Sequence, residues 1–304
     1  MYLKFYLEQI GFLDIPDFLV KYLDSPSLLR LKKVGYFCGM DFASKKIYQF
    51  REYISRYDHS LTVCLLVYKL TNDKKACLAG LFHDIATPCF SHVIDYMNKD
   101  YEKQESTEEY TESIIKNDEH LMSCLKNDGI DIEDVIDFKK YSVVDNNRPK
   151  VCADRLDGVI LTGIGWTKNL TKREIKTIID DIDLFINEDG EEEIGFKTYK
   201  IAEKVLSVSK SIDLYCHSKE DNYMMELLAD ITRLAISKGY IKYIDLYKMD
   251  ESKLFSLLKN SNDSSLEVLI YKFENIDIDE IPDFDMPQVK VRDLNPLVNG
   301  VRIK

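Results

Sequence analysis

Leu81-Phe82-His83-Asp84-Ile85-Ala86-Thr87-Pro88-Cys89-Phe90-Ser91-His92 sets a histidine directly beside an aspartate at the end of an apolar run. A second histidine stands upstream in Ser55-Arg56-Tyr57-Asp58-His59-Ser60-Leu61, and a second acid downstream in Cys152-Ala153-Asp154-Arg155-Leu156-Asp157. His59, His83, Asp84 and Asp154 supply two imidazoles and two carboxylates, enough to hold one divalent ion. The gaps between them are long enough for separate helices to bring them together. Neutral imidazoles donate lone pairs, while carboxylates offset the ion's charge and leave positions for water or a phosphate oxygen. Such a set suits Mn, Fe, Zn, Ni or Mg without choosing among them. A bound metal lowers the pKa of its water to about 7 in the best zinc sites, which makes hydroxide available near neutrality. The expectation is one divalent metal ion and a metal-dependent hydrolase or a descendant of one.

Around these motifs the pattern is mostly helical. Leu61 to Leu70 is apolar nearly all round and predicts a buried helix. Ala76 to Ile85 places Leu78, Leu81, Phe82 and Ile85 at helical spacing, and His92 to Asn98 resumes a helix after Pro88. In a helix from Asp154 to Thr162, Asp154 and Asp157 share one side at i and i+3. Glu105 to Lys116, Tyr199 to Tyr215, Met224 to Lys238 and Ser252 to Lys259 also read as helices. Leu184 to Asn187 and Glu191 to Phe196 flank Asp189-Gly190 and predict a β-hairpin. Leu266 to Ile276 and Val289 to Val291 read as extended. The fold class expected is mostly α, with a small β-hairpin and a minor α+β C-terminal region. Residues 1–240 would form the helical core, and residues 241–304 the α+β region packed on it.

Composition narrows the function. The chain has 304 residues, 45% hydrophobic and 31% charged, which is a globular balance. No run approaches the ~18 apolar residues of a membrane span. Met1 to Glu8 lacks the pattern of a secretory signal, so a cytoplasmic location without membrane contact is expected. Seven scattered cysteines without a C-x-x-C pair fit reduced thiols. A net charge of -12 disfavours a nucleic-acid polymer as partner, but a small anionic ligand needs only a few local cations.

Three segments, taken in order, resemble the HD-domain phosphohydrolases and, among them, the deoxynucleoside triphosphate triphosphohydrolases. They are Arg56-x-x-His59-Ser60-Leu61, Leu81-x-His83-Asp84-Ile85 with Phe90-Ser91-His92, and Ala153-Asp154-Arg155-Leu156-Asp157. Arg30 to Gly35, Leu214 to His217 and the region from Gly239 to Leu258 are also similar. The resemblance implies an HD-domain helical fold with His59, His83, Asp84 and Asp154 as metal ligands, Asp84 also serving catalysis. It implies that Arg56 contacts substrate phosphates and that Tyr215 lies near a bound nucleotide. The implied ligand is a small phosphorylated substrate, a nucleotide, and the implied assembly is a homo-oligomer.

The departures from that pattern bear on chemistry. Thr87 and Thr107 stand where the family carries two histidines that assist the leaving group and the transition state. General acid catalysis is worth about 10²–10⁴ in rate, roughly 3–5 kcal/mol of barrier. Gly158 replaces a tyrosine near the terminal phosphate, and Thr162 replaces an aspartate that reads the sugar hydroxyl. His92, which matches a mainly structural histidine of the family, joins Glu105, Glu108 and Asp157 as a candidate substitute acid. His92 is accordingly expected to be catalytic, with Thr87 and Asp157 at the substrate. His120 reads as a surface residue and His217 as structural. The leading expectation is a metal-dependent phosphohydrolase acting on a nucleotide or other small phosphate ester through a metal-bound hydroxide. The alternative is a catalytically weakened HD-fold module that binds or senses a nucleotide. A two-iron oxygenase is disfavoured, because only His92 and His120 lie between His83-Asp84 and Asp154, neither at the expected spacing.

Overall fold

The computed structural model describes every residue except Glu105, Glu108 and Lys304. Among the described residues it holds fifteen α-helices and one four-stranded sheet. The mostly helical architecture expected from the sequence is the one found. Its centre is the pair Arg56–Thr71 and Lys74–Phe82, joined by a tight turn. Ser55 opens the first helix as a capping box. Its hydroxyl accepts from the Asp58 amide, and the Asp58 carboxylate accepts from the Ser55 amide. Asn72, at φ 54, closes that helix, and the Asp73 carboxylate starts the next by accepting from the amides of Lys75 and Ala76. Gly80 lets the pair approach closely, since a Cβ there would sit 3.3 Å from Val63 Cγ1. Nearly every side chain from His59 to Val67 and from Ala76 to Phe82 is buried, as an all-round apolar pattern requires.

The helix Ala153–Gly165 packs on the first helix of this pair, and Tyr2–Gln9 packs on it in turn. With Lys172–Asp181, Tyr199–Cys216 and the sheet they enclose one hydrophobic core. A second core gathers Val93–Asn98, Lys219–Ser237, Glu251–Lys259 and Ser264–Asn275 around Met40, Tyr48 and Phe90. Side chains of both cores reach one cavity of about 1060 Å³.

The hairpin forms as expected. Strand β1 (Ile182–Ile186) runs antiparallel to β2 (Glu192–Phe196), from Ile182 opposite Phe196 to Ile186 opposite Glu192. Gly190 supplies the positive φ of the turn, at 80°. The chain returns at its end to add β3 (Leu297–Val298), parallel to β2, and β4 (Val301–Arg302), antiparallel to β3.

Two segments differ from expectation. Leu266 to Ile276 lies in the α-helix Ser264–Asn275, capped by the Asp263 carboxylate. Leu266, Ile270 and Phe273 are buried at helical spacing, whereas Val268 and Tyr271 face outward. The β-branched and aromatic content suggested a strand, but the period of burial is that of a helix. Val289 to Val291 forms no strand and belongs to an irregular strap. The expected helix Glu105 to Lys116 falls in part on Glu105 and Glu108, outside the described residues, and among the described ones the helix runs Thr111–Asn117. All seven cysteines are free. No described helix is long and apolar enough to cross a membrane.

Candidate metal centre

Three helices deliver the expected ligands to one point. His59 lies in the first turn of Arg56–Thr71, His83 follows the last turn of Lys74–Phe82, and Asp154 opens Ala153–Gly165. The Nε2 atoms of His59 and His83 are 3.2 Å apart. Asp154 Oδ1 lies 3.1 Å from the first and 3.7 Å from the second. Asp84 Oδ2 stands at 3.7 Å and 3.9 Å from the same two nitrogens. The donor atoms of His59, His83 and Asp154 all fall within 4.8 Å of one another.

The hydrogen bonds behind the rings decide what faces forward. The Gly80 carbonyl can only accept, so His83 Nδ1 donates to it at 2.7 Å. His59 Nδ1 lies 2.7 Å from Asp157 Oδ2, and Asp157 also accepts from the Tyr6 hydroxyl at 2.6 Å. With protons held on both Nδ1 atoms, both Nε2 atoms point into the same small space beside a carboxylate. Such a set draws positive charge into that space, and carboxylate or carbonyl partners behind ligating imidazoles are the usual support of a metal site. The residues therefore fit one divalent ion.

The electrostatics agree. Burial lowers the proton affinity of His59, but hydrogen bonds to Asp154 and Asp157 outweigh it and push the pKa up to about 10. Burial raises Asp154, yet the bonds from His59 and His83 hold it well below the usual carboxylate range. Burial likewise raises Asp84, and the charges of Arg56, His83 and His59 overcome it and bring the pKa down. Arg56, almost fully buried, donates to Asp84 Oδ2 at 2.9 Å and through Nε to Ser91 Oγ at 3.0 Å.

The remaining expected residues are distributed differently. Arg56 and His92 line the cavity, and His92 Nδ1 lies 2.9 Å from Oδ2 of the buried Asp95. Asp157 is wholly buried behind His59, where it orients a ligand and does not face the cavity. Thr87 is also buried away from the cavity, its carbonyl accepting from Arg30 at 2.6 Å. Thr107, by contrast, is part of the wall. Tyr215 is 47% exposed and packs on Trp166 in a separate shallow groove. Glu105 and Glu108 lie outside the described residues. His120 and His217 bond to backbone carbonyls away from the cavity.

Gly158 and Thr162 line the cavity as well. A Cβ at Gly158 would meet the Tyr36 hydroxyl at 3.2 Å, so Tyr36 occupies the space beside that position. Its ring lies 4.9 Å from the Arg56 guanidinium and 5.1 Å from the His59 ring. Phe37, Phe50 and Trp166 continue the aromatic side. Tyr36 directly follows Arg30 to Gly35, so its nearness in sequence to a recognised segment was the signal available. Arg148, Asp221, Lys290 and Arg292, also on the wall, carry no motif.

Residues 56–157 match the HD domain. That span begins at Arg56, ends at Asp157 and contains all four metal-type residues. Over 261 residues the chain is 27% identical to the uncharacterized protein YdhJ of Bacillus subtilis, covering 84% of this chain and 75% of that one. Over 256 residues it is 21% identical to the metal-dependent phosphohydrolase cns2 of Cordyceps militaris, covering 80% of this chain and 70% of that one. These similarities place an HD domain in residues 56–157. They do not single out a deoxynucleoside triphosphate.

Proposed function

We propose that this protein is a metal-dependent phosphohydrolase acting on a nucleotide or another small phosphate ester bound in the large cavity. The observation that carries the proposal is the pair of facing Nε2 atoms, 3.2 Å apart, with both Nδ1 protons committed elsewhere. His59, His83, Asp154 and Asp84 would hold the ion, which when bound supplies an activated water and polarises a phosphoryl oxygen. Arg56 presents its guanidinium beside Asp84, where it can orient a phosphate through a planar fork. His92, fixed by Asp95, is the cavity imidazole outside the metal set among the described residues, and is positioned to hold or give a proton. The aromatic side with Tyr36, Phe37 and Trp166 offers flat surfaces to a base. The same proposal includes a cytoplasmic setting, a homo-oligomer and no nucleic-acid polymer as partner.

One observation favours the second reading, a binding or sensing module. Thr107 puts a hydroxyl, not an imidazole, on the wall, and Thr87 lies behind it. A turnover screen separates the two readings. Purified protein would be supplied in turn with Mn, Fe, Zn, Ni or Mg and offered nucleoside mono-, di- and triphosphates. Metal-dependent product release that disappears in His83→Ala is the expected result. Nucleotide binding without turnover under any metal would transfer the assignment to the sensor.

A further inference from the structure

Beyond the metal centre the cavity runs to a wall made by the loop 145–150 and the strap 289–294. Apart from Lys139, the basic side chains on the cavity wall fall into two groups. Arg56, Lys140, Lys150 and Arg155 each meet a carboxylate, on Asp84, Asp134, Asp189 and Asp145 respectively. Arg148, Lys290 and Arg292 make no ion pair with a carboxylate among the described residues. Neutral oxygens hold them instead. Arg148 Nη1 donates to the Asp293 carbonyl at 3.1 Å and Lys290 Nζ to the Lys103 carbonyl at 2.9 Å. Arg292 donates to the Lys290 carbonyl at 3.2 Å and to Gln104 Oε1 at 3.1 Å.

Their backbone is fixed as well. The Lys290 amide donates to the Tyr101 carbonyl at 3.0 Å, the Arg292 amide to Asp213 Oδ1 at 2.9 Å, and the Asn295 amide to the Pro149 carbonyl at 2.8 Å. The three cations consequently stand in set positions within electrostatic reach of one another. Burial first, then Arg155 and Arg292, push the Arg148 pKa down. Burial first, then Arg148 and Arg292, do the same to Lys290. The carboxylates that act on the trio from a distance include Asp154, which belongs to the metal set, and Asp221, whose pKa burial raises to about 6. In a chain with 53 acidic and 41 basic residues, burial and mutual repulsion work against the charges of Arg148 and Lys290, whereas at Arg292 the nearby Cys216, Cys38, Tyr96 and Asp221 outweigh burial and raise the pKa. A bound anion would offset that repulsion.

We infer that Arg148, Lys290 and Arg292 form a second anion subsite, and that the substrate carries a second phosphate group besides the one presented to the metal. The anion subsite stands on its own residues, and only its use by a substrate rests on the phosphohydrolase reading. The ligand class is a phosphate ester with two phosphate groups on one molecule, so a simple monophosphate leaves the second subsite empty.

The first test is calorimetric titration of the whole, metal-free protein in chelator with inorganic pyrophosphate. Wild type should bind, and Arg292→Gln with Lys290→Gln should weaken binding at least about tenfold, the scale of one lost charged hydrogen bond. Lys176→Gln, at an exposed lysine outside the cavity, should bind like wild type. Arg292→Lys, which keeps the charge, should retain more affinity than Arg292→Gln, and melting curves of all variants check folding. Absence of binding, equal binding in the Gln variants, or an equal weakening in Lys176→Gln would each overturn the subsite. The second test compares nucleoside di- and monophosphates by kcat/KM. Arg292→Gln should reduce the preference for the diphosphate about tenfold. An equal effect on both substrates would overturn the substrate assignment while leaving the pyrophosphate result intact. Failure of all hydrolysis would count against the phosphohydrolase, and the titration would still decide the subsite.

Discussion

His59, His83 and Asp154 sit at the ends of three packed helices, and the back of each ring is tied down, one to Asp157 and one to Gly80. Arg148, Lys290 and Arg292 sit on a loop and an irregular strap, tied by carbonyl and amide oxygens. One end of the cavity gathers imidazoles and carboxylates. The other gathers cations held by neutral oxygens. A phosphate ester between a metal and the strap would satisfy both. The contrast teaches that two complementary halves of a site can arise from unlike architecture. Helix ends give precision through packing, and a strap gives charge through backbone pairing. Glu251 braces the first of these regions, because its carboxylate accepts from the amides of Gly35 and Phe90, at 2.9 Å and 2.7 Å, which precede and follow in sequence the helices that carry His59 and His83.

The sharpest way to break the metal end is His83→Ala. Removing a ligand forfeits several kcal/mol of charge stabilisation, so turnover should fall about a thousandfold or more. In the same variant, added divalent metal should no longer raise the melting temperature, as it should in wild type. Metal-dependent turnover at the wild-type rate would refute the ligand assignment.

Glu251→Ala removes the brace behind the metal end. It strips two buried amides of their acceptor and should cost about 2–3 kcal/mol of stability, read by urea unfolding. Glu251 also sets a pH dependence. Burial pushes its pKa up to about 8 from an ordinary 4.5, so the folded state keeps a proton that the unfolded chain releases. The stability this contributes is complete below pH 4.5 and is lost as pH rises toward about 8. Unfolding curves across that window should show a slope that flattens in Glu251→Gln, and an unchanged slope would contradict the buried proton.

A smaller change is expected from Asp157→Asn, which weakens the support behind His59 without touching the cavity. Losing such a partner typically costs 10–100-fold in metal affinity, about 1.4–2.7 kcal/mol, measurable by metal titration. Smallest of all should be Tyr215→Ala. The ring is half exposed and outside the metal cavity, so kcat/KM should stay within about twofold, the usual range for surface changes. A large loss would extend the site into the groove beside Trp166.

The amino-acid sequence by itself determined the helical core and the identity of the metal-type residues. A helix repeats with a fixed period, so all-round apolar runs, a capping Ser55 and the place of His59, His83 and Asp154 on separate helices are local properties of the chain. The Asp-Gly hairpin is legible for the same reason. Only the tertiary structure decided which way each wall residue faces. Thr87 and Thr107 look alike in sequence, yet one is buried behind the wall and the other lines it. Asp157 and Asp154 are one helical turn apart, yet one orients an imidazole and the other joins the donors facing it. Leu266 to Ile276 became a helix because its partners bury every third or fourth side chain. The cationic wall was invisible because Arg148 and Arg292 are far apart in the chain and meet through carbonyls, a group that every residue carries and no sequence pattern marks.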